Sequence, residues 1–491
     1  MTIDITTNPF DDDKLREECG LFGVFNCSEA AAHAALGLHA LQHRGQEAGG
    51  IITYDGDKFH AHRALGHVGD IFSTEAVMKT LPGDYAIGHV RYATTGDVIL
   101  RNVQPFFAEF DFGALALAHN GNLTNAMKIK SELVTKGCIF QSTSDTEVVI
   151  HLIALSKKGS IIDRVIDACR QIKGAYSFVL MTKQALIGVR DPNGLRPMVL
   201  GKLGDSHILC SETVALDIIG AEFVRDVKPG EMVIITKDGV RSLMPLPPST
   251  PRFCIFEYIY FARPDSNIDG KSVYEVRKAI GAQLARESGI DADMVVPVPD
   301  SGVPSAIGYA NAAKIPYEMG IIRNHYIGRT FIEPTDKIRH LGVKLKHNAN
   351  TQHIRGKRVI LIDDSIVRGT TSKKIVEMVR AAGASEVHMR IASPPTNNPC
   401  FYGIATPDKA GLLAANHNIE EMRKMIKADS LAFISIDGLY QAMGEAKRNN
   451  AIPQYCDACF TGEYPVELTD HVAEQQEPTP SVQLPLLTET V

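Results

Sequence analysis

Val359-Ile-Leu-Ile-Asp-Asp-Ser-Ile-Val-Arg-Gly-Thr-Thr-Ser372 changes character at its fifth residue. An apolar run of strand formers ends in Asp363 and Asp364, and small residues from Ser365 to Thr371 then lead into a helix that opens on hydroxyls. In open parallel sheets ligands bind beyond the carboxyl ends of the strands. The N–H groups of such a loop, with the positive end of the next helix, form a cradle for a phosphate monoester. Gly369 lets the backbone come close, while Thr370, Thr371 and Ser372 add hydroxyl donors. Two carboxylates beside that phosphate suit the vicinal hydroxyls of a ribose, with help from a metal ion. A strand, an acidic turn and a helix cap with no ligand would explain a lone Asp-Asp, but it explains the whole succession poorly.

The surroundings repeat the same rhythm. Helical Val273 to Ser288 precedes a strand at Met294 to Val298, and helical Gly302 to Ala313 follows. The strand Arg358 to Ile362 precedes helical Thr371 to Ala382, and Val387 to Ile391 is a further strand. Short strands alternating with crossover-length helices predict an α/β domain with a mostly parallel sheet. Val298-Pro-Asp-Ser-Gly302 is a turn after an apolar strand, a weak signal alone because its residues are common turn formers. Asn324 to Pro334, which contains Tyr326 and Arg329, has no clean period and reads as a loop, either mobile or an ordinary surface segment.

Leu243-Met-Pro-Leu-Pro-Pro-Ser-Thr-Pro251 is a stiff connector and the predicted domain boundary. Before it lie strand-like runs at Cys19 to Phe25, Ala86 to Val90, Leu115 to Ala118, Ser177 to Met181 and Met232 to Ile235. Helical patterns lie at Ala30 to His43, Thr146 to Leu155 and Ile161 to Ile172. Many strands and few helices predict an α+β domain. The polar opening, Met1 to Glu18, reads as a loose leader, and the proline-dotted stretch after about Pro465 reads as an extended tail. The expected division is therefore 1–18, 19–250, 251–465 and 466–491.

The chain has 491 residues, too many for a single average core, and a formal charge of -6. That balance, without any basic block, gives no support to a nucleic-acid partner. No run approaches the roughly 20 apolar residues of a membrane helix, and the opening lacks the basic and apolar regions of an export signal. Nine cysteines are too sparse for a disulfide scaffold in so long a chain. Their odd number and the single Cys-x-x-Cys pair point to a reducing compartment, the cytoplasm.

Cys19 heads Cys-Gly-x-x-Gly after the leader. A buried cysteine is usually a small core group. Cleavage after Glu18 would make this one N-terminal, with an α-amine of pKa about 7.7–8.0 able to act as general base for the thiol. Further motifs follow in order: His43-Arg44-Gly45-Gln46-Glu47, Gly88-His89-Val90-Arg91-Tyr92-Ala93-Thr94, His119-Asn120-Gly121-Asn122-Leu123 and Ser144-Asp145-Thr146-Glu147.

Residues 19–150 with these motifs resemble class II, N-terminal-nucleophile glutamine amidotransferases, whose fold is a four-layer αββα arrangement. Residues 294–372 resemble type I phosphoribosyltransferases. The two in this order resemble the glutamine phosphoribosylpyrophosphate (PRPP) amidotransferase family. That resemblance implies Cys19 as nucleophile and an oxyanion hole of Asn120 and Gly121. Arg91 and Thr94 would bind glutamine, with Arg91 forking its α-carboxylate, and Asp145 would pair with its α-ammonium. It implies that Asp363 and Asp364 hold the ribose hydroxyls and that Ser365, Arg368, Gly369, Thr370 and Thr371 hold the 5-phosphate. Asp300, Ser301, Gly302 and Arg329 would then serve the pyrophosphate, with Mg2+ at Ser301, Asp363 and Asp364. Also implied are an ammonia channel closed by the Tyr326–Arg329 region, a homotetramer and feedback inhibition by purine nucleotides.

Cys456-Asp-Ala-Cys459 alone is compatible with a redox pair, a metal half-site such as zinc, or chance. One branch of the resembling family has a cleaved propeptide and a [4Fe–4S] cluster, which implies Cys254, Cys400, Cys456 and Cys459 as cluster ligands. Cys27, Cys138, Cys169 and Cys210 match no motif. Three other readings compete: a class II amidotransferase with another acceptor, a phosphoribosyltransferase for a free base with an inert first domain, and a non-catalytic regulatory homologue. The Asp363–Thr370 motif argues against the first, and intact Cys19, Arg91, Asn120 and Asp145 argue against the other two.

Overall fold

The computed structural model describes residues 16–17, 19–91, 99–324 and 347–471. Cys19–Phe25, buried throughout, lies inside a seven-stranded sheet between Ser206–Cys210 and Tyr85–Arg91, antiparallel to both. A second sheet of six strands is built around the antiparallel pair Gly113–Leu123 and Gly174–Thr182. Because side chains alternate along a strand, each sheet has two apolar faces to cover. Leu21, Ile52 and Ile87 of the first sheet meet Ala116, Ala118 and Val179 of the second in one inner core. On the outer faces, Phe22, Val24 and Val90 pack on the helix Ala30–Ala40. Leu115, Leu117 and Phe178 pack on Ala126–Thr135, Thr146–Leu155 and Ile161–Cys169. Helix, sheet, sheet, helix is the αββα order expected.

Met294–Pro297, Arg358–Asp363, Glu386–Ile391 and Ser430–Phe433 form a parallel sheet in that order. Val295, Ile360 and Ile362 face the side covered by Val273–Ser288 and Val303–Ala313. Val296, Val359 and Leu361 face Ile375, Val376 and Val379 of the helix Thr370–Ala381. Burial on both faces explains why these strands are continuous apolar runs.

Two ends differ from expectation. Arg16–Glu17, inside the supposed loose leader, pairs antiparallel with Ile404–Ala405 by its backbone. Residues 466–471, expected to lie in the tail, are held by the fold. Val466 and Leu468 pack beside Tyr402, Cys456 and Ala458, and Asp470 bonds the backbone of Met127 and Lys128. Polar composition concealed this because Glu467 and Asp470 serve fixed partners, Lys173 and the N-terminus of a helix.

The halves are joined by charges taken wholly out of water. Arg44, Arg196, Glu212 and Glu257 each have no exposed surface. Arg44 pairs with Glu212 and, at 2.8 Å, with Glu257, which also accepts from Arg196 at 3.2 Å. Glu212 further accepts from Ser266 Oγ at 2.6 Å and Arg263 N at 3.0 Å. Burial opposes ionisation of Glu212, but His43, Arg44 and these hydrogen bonds prevail and hold its carboxyl well below the usual range.

His89 explains part of the Gly-His-Val-Arg motif. Its ring lies fully buried, with Nε2 donating to the His119 carbonyl at 3.0 Å. Burial, helped by the charges of Arg91 and His119, pushes its pKa from 6.5 down to about 3. The unfolded chain therefore takes up this proton first, and stability present above pH 6.5 is lost as pH falls toward 3. One such group contributes a slope of up to about 1.4 kcal/mol per pH unit. His89→Gln keeps the donor without the titration, so denaturant melts at a series of pH values should show a flatter acid limb.

Candidate active sites

Cys19 is paired in register with Arg91 on the neighbouring strand, and both are buried. The carbonyl of Cys19 accepts from Arg44 Nε at 3.2 Å, which ties the Cys19 strand to the interdomain charges. Asn120 and Gly121 lie near the end of Gly113–Leu123, the strand that packs against Cys19–Phe25. Asn120 is completely buried, yet neither its Nδ2 nor its Oδ1 has a hydrogen-bond partner among the described residues. An orphaned buried amide costs free energy, and a functional ligand is one reason to retain it. Gly121 has φ +138°, and a Cβ there would come within 2.1 Å of the Ala175 carbonyl. Only glycine can therefore bring this N–H into position.

Asp145 accepts from Leu123 N at 2.9 Å and from Thr146 Oγ1 at 3.3 Å, and lies 3.7 Å from His119 Nδ1. Burial favours its neutral form, but His119 and these bonds outweigh burial and hold its pKa below the ordinary value. The carboxylate stays ionised and can meet a cation. Thr94 and Arg329, with Tyr326, lie outside the described residues.

In the second half, Asp363 ends its strand and Asp364 follows it, both nearly inaccessible. Asp364 accepts from Ser301 Oγ, and from Ser365 Oγ at 2.6 Å, while its N–H donates to Asp363 Oδ1 at 3.0 Å. The Val298–Gly302 turn and the acidic strand end are thus brought together. Gly302 is packed so close that a Cβ would lie 2.4 Å from the Ile362 carbonyl. Asp300 instead pairs with Arg323, and the Pro299–Asp300 peptide is cis. Gly369, at φ +80°, opens the helix Thr370–Ala381. Arg368 and Thr370 face solvent, whereas Thr371 and Ser372 are buried.

Cys254 and Cys456 are register partners in a short parallel pair, and Cys459 lies in the adjoining turn of helix. Cys400 accepts from Tyr402 N at 3.4 Å. None of the nine cysteines is in a disulfide. Burial, then the mutual influence of Cys254, Cys400 and Cys456, pushes the Cys459 thiol far up, and burial raises Cys254 to about 12. Three of these thiols, Cys254, Cys456 and Cys459, resist ionisation unless a cationic centre compensates them, which fits the thiolate ligation of an iron–sulfur cluster. Among the described residues, no three His, Cys, Asp or Glu are grouped as a single-ion site. Nor is any described helix long and apolar enough to cross a membrane.

Sequence reasoning missed Glu212, Glu257 and Arg196. Each sits outside a recognisable motif, and only their burial in one set of ion pairs with Arg44 marks them.

Residues 89–217 match the glutamine amidotransferase domain family and residues 269–392 the phosphoribosyl transferase domain family. The chain is 57% identical over 475 residues to the amidophosphoribosyltransferase of Rhizobium etli, covering 96% of each. It is 48% identical to a solved glutamine PRPP amidotransferase from B. subtilis in complex with ADP and GMP, at a TM-score of 0.87, covering 92% of this chain and 98% of that one. A second solved structure, described as the allosteric regulatory enzyme of purine biosynthesis, gives 48% identity and a TM-score of 0.88 over 92% of this chain and 97% of its own. By these similarities over more than nine-tenths of its length, the chain belongs to the amidophosphoribosyltransferase family.

Proposed function

We propose that the chain makes 5-phosphoribosylamine, glutamate and pyrophosphate from glutamine, PRPP and water, the step that opens purine synthesis. The observation that carries the residue assignment is the buried Asn120 amide, without a partner among the described residues, on the strand packed against that of Cys19. Cleavage after Glu18 frees the Cys19 amine, which takes the thiol proton as the sulfur attacks the γ-carbonyl of glutamine. Asn120 Nδ2 and the Gly121 N–H donate to the oxyanion, ammonia leaves, and water hydrolyses the γ-glutamyl thioester. Arg91 forks the α-carboxylate, with Thr94 beside it, and ionised Asp145 holds the α-ammonium.

At the acceptor, Asp363 and Asp364 take the ribose hydroxyls. The N–H groups of Gly369 to Thr371, with Ser365, Arg368 and the threonine hydroxyls, hold the 5-phosphate. Asp300, Ser301, Gly302 and Arg329 attend the pyrophosphate. Two adjacent carboxylates, one of them in contact with the Ser301 hydroxyl, fit Mg2+, which binds through one or two carboxylates and substrate oxygens. Ser301, Asp363 and Asp364 would hold it, and when bound it neutralises pyrophosphate charge. Ammonia attacks C1 with inversion as pyrophosphate departs, and closure of the Tyr326–Arg329 region keeps ammonia from solvent.

Cys254, Cys400, Cys456 and Cys459 would hold the [4Fe–4S] cluster, which would tie the connector, the sheet domain and the C-terminal segment together in a structural or oxygen-sensing role rather than deliver electrons. We divide the chain into a propeptide at 1–18, a glutaminase domain at 19–250, a phosphoribosyltransferase domain at 251–465 and the remainder. The enzyme works as a homotetramer in the cytoplasm under feedback from purine nucleotides. Nine cysteines without a disulfide support the reducing compartment.

Four outcomes check this reading. Asn120→Ala should lower glutamine-dependent synthesis by about 10²–10³, the effect of one lost oxyanion donor, while ammonia-dependent synthesis persists. Asp364→Ala should depress synthesis from either nitrogen source, and loss with glutamine alone would remove it from the acceptor site. Intact mass should show a chain starting at Cys19 that releases glutamate and pyrophosphate in equal amounts, and anaerobic protein should carry iron with absorbance near roughly 400 nm. A full-rate enzyme that retains its leader, or an anaerobic preparation without iron, would refute the respective assignment.

A further inference from the structure

Asn125 stands before the helix Ala126–Thr135 and is a residue type that caps helices. Its side chain does not cap this one. Nδ2 donates to the Gln171 carbonyl at 3.0 Å and Oδ1 accepts from Lys173 N at 2.8 Å. The cap is supplied from 343 residues further along the chain: Asp470 Oδ2 accepts from Met127 N at 2.7 Å. Its Oδ1 accepts from Lys128 N at 3.0 Å. A carboxylate at a helix N-terminus meets both the free N–H groups and the positive end of the dipole.

The same region is gripped at neighbouring residues. Asp470 N donates to the Thr124 carbonyl at 2.9 Å, and Thr124 Oγ1 donates to the Glu467 carbonyl at 2.7 Å. Asn122 Nδ2 donates to the Phe401 carbonyl at 3.0 Å. Gly403, at φ +114°, lies so near that a Cβ on it would be 3.1 Å from Gly121 Cα. Residues 121 to 128, immediately after Asn120, are thus held by segments of the acceptor half. Leu123, within that stretch, donates its N–H to Asp145. A cavity of about 240 Å³ has Ser144 and Asp145 on one wall and Phe401, Leu468 and Asp470 on the other.

We infer that Asp470 is a positioning residue for the glutamine half-reaction, fixing the strand end that presents Asn120 and Gly121 and orients Asp145. This rests on the assignment of those three residues to the glutamine site. The PRPP cradle is built on Asp363 to Thr371 and takes no support from Asp470, so the two nitrogen sources separate the effects.

The test uses the full-length, cluster-loaded enzyme and steady-state synthesis with PRPP and either glutamine or ammonium chloride. Asp470→Ala should raise the glutamine KM on the order of five- to tenfold, the scale of one lost cap, with ammonia-dependent kcat and PRPP KM within about twofold. Asp470→Asn, which keeps one acceptor oxygen, should recover part of the glutamine KM. An unchanged glutamine KM in Asp470→Ala, or a parallel fall with both nitrogen sources, overturns the inference. If Asp470→Ala does not fold, Thr124→Val removes only the hydroxyl bond to Glu467 and should shift the glutamine KM in the same direction. No shift there overturns it equally. Cys19→Ala is run alongside. Glutamine use surviving in that variant would overturn the site assignment itself, whereas a silent Asp470→Ala beside a dead Cys19→Ala overturns only the positioning role.

Discussion

Two arginines and two glutamates with no access to water hold the halves of this protein together. Arg44 and Arg196 supply positive charge, Glu212 and Glu257 negative, and Ser266 and the Arg263 N–H occupy positions left on Glu212. Burying such charges is expensive and is compensated only by close pairing. Deleting one partner strands another at a cost of about 3–5 kcal/mol. The network therefore accepts one docking geometry and rejects sliding, which an apolar interface of similar area would tolerate. Arg44 carries that constraint to the chemistry, because the guanidinium that pairs across the boundary also bonds the carbonyl of Cys19.

Both reaction centres exploit strand ends, in different ways. In the antiparallel half, Cys19 and Arg91 are register neighbours, and Asn120 with Gly121 comes from the facing sheet. Two packed sheets thus bring these four residues toward one place. In the parallel half, a single strand delivers Asp363 and Asp364, and the adjacent turn delivers Ser301. Close approach of backbone to backbone serves both: glycine at 121 admits the Ala175 carbonyl, and glycine at 302 admits that of Ile362.

Much of this was legible in the residues. The helices Thr146–Leu155 and Val273–Ser288 and the strand Arg358–Asp363 fall where periodicity places them, because local pattern and burial agree. The helix expected to run to His43 ends at Ala40, where turn geometry takes over before Arg44 enters the interface. Strands such as Ala48–Tyr54 and Leu186–Arg190 escaped notice because short apolar runs do not distinguish strand from helix. Glu212 and Glu257 had no local signature, since a buried ion pair is defined by residues far apart in the chain. Only the fold reveals that the Asn125 amide is committed to Gln171 and Lys173 rather than to the helix that follows it.

The cap on Ala126–Thr135 lies near the opposite end of the polypeptide. On a ribosome adding about 5–20 residues per second, the glutaminase half is complete roughly 10–40 s before Asp470 is made. During that interval the helix lacks its carboxylate and Thr124 lacks its partners at 467 and 470. A nascent polypeptide therefore carries this helix without its cap until the rest of the chain has been synthesised.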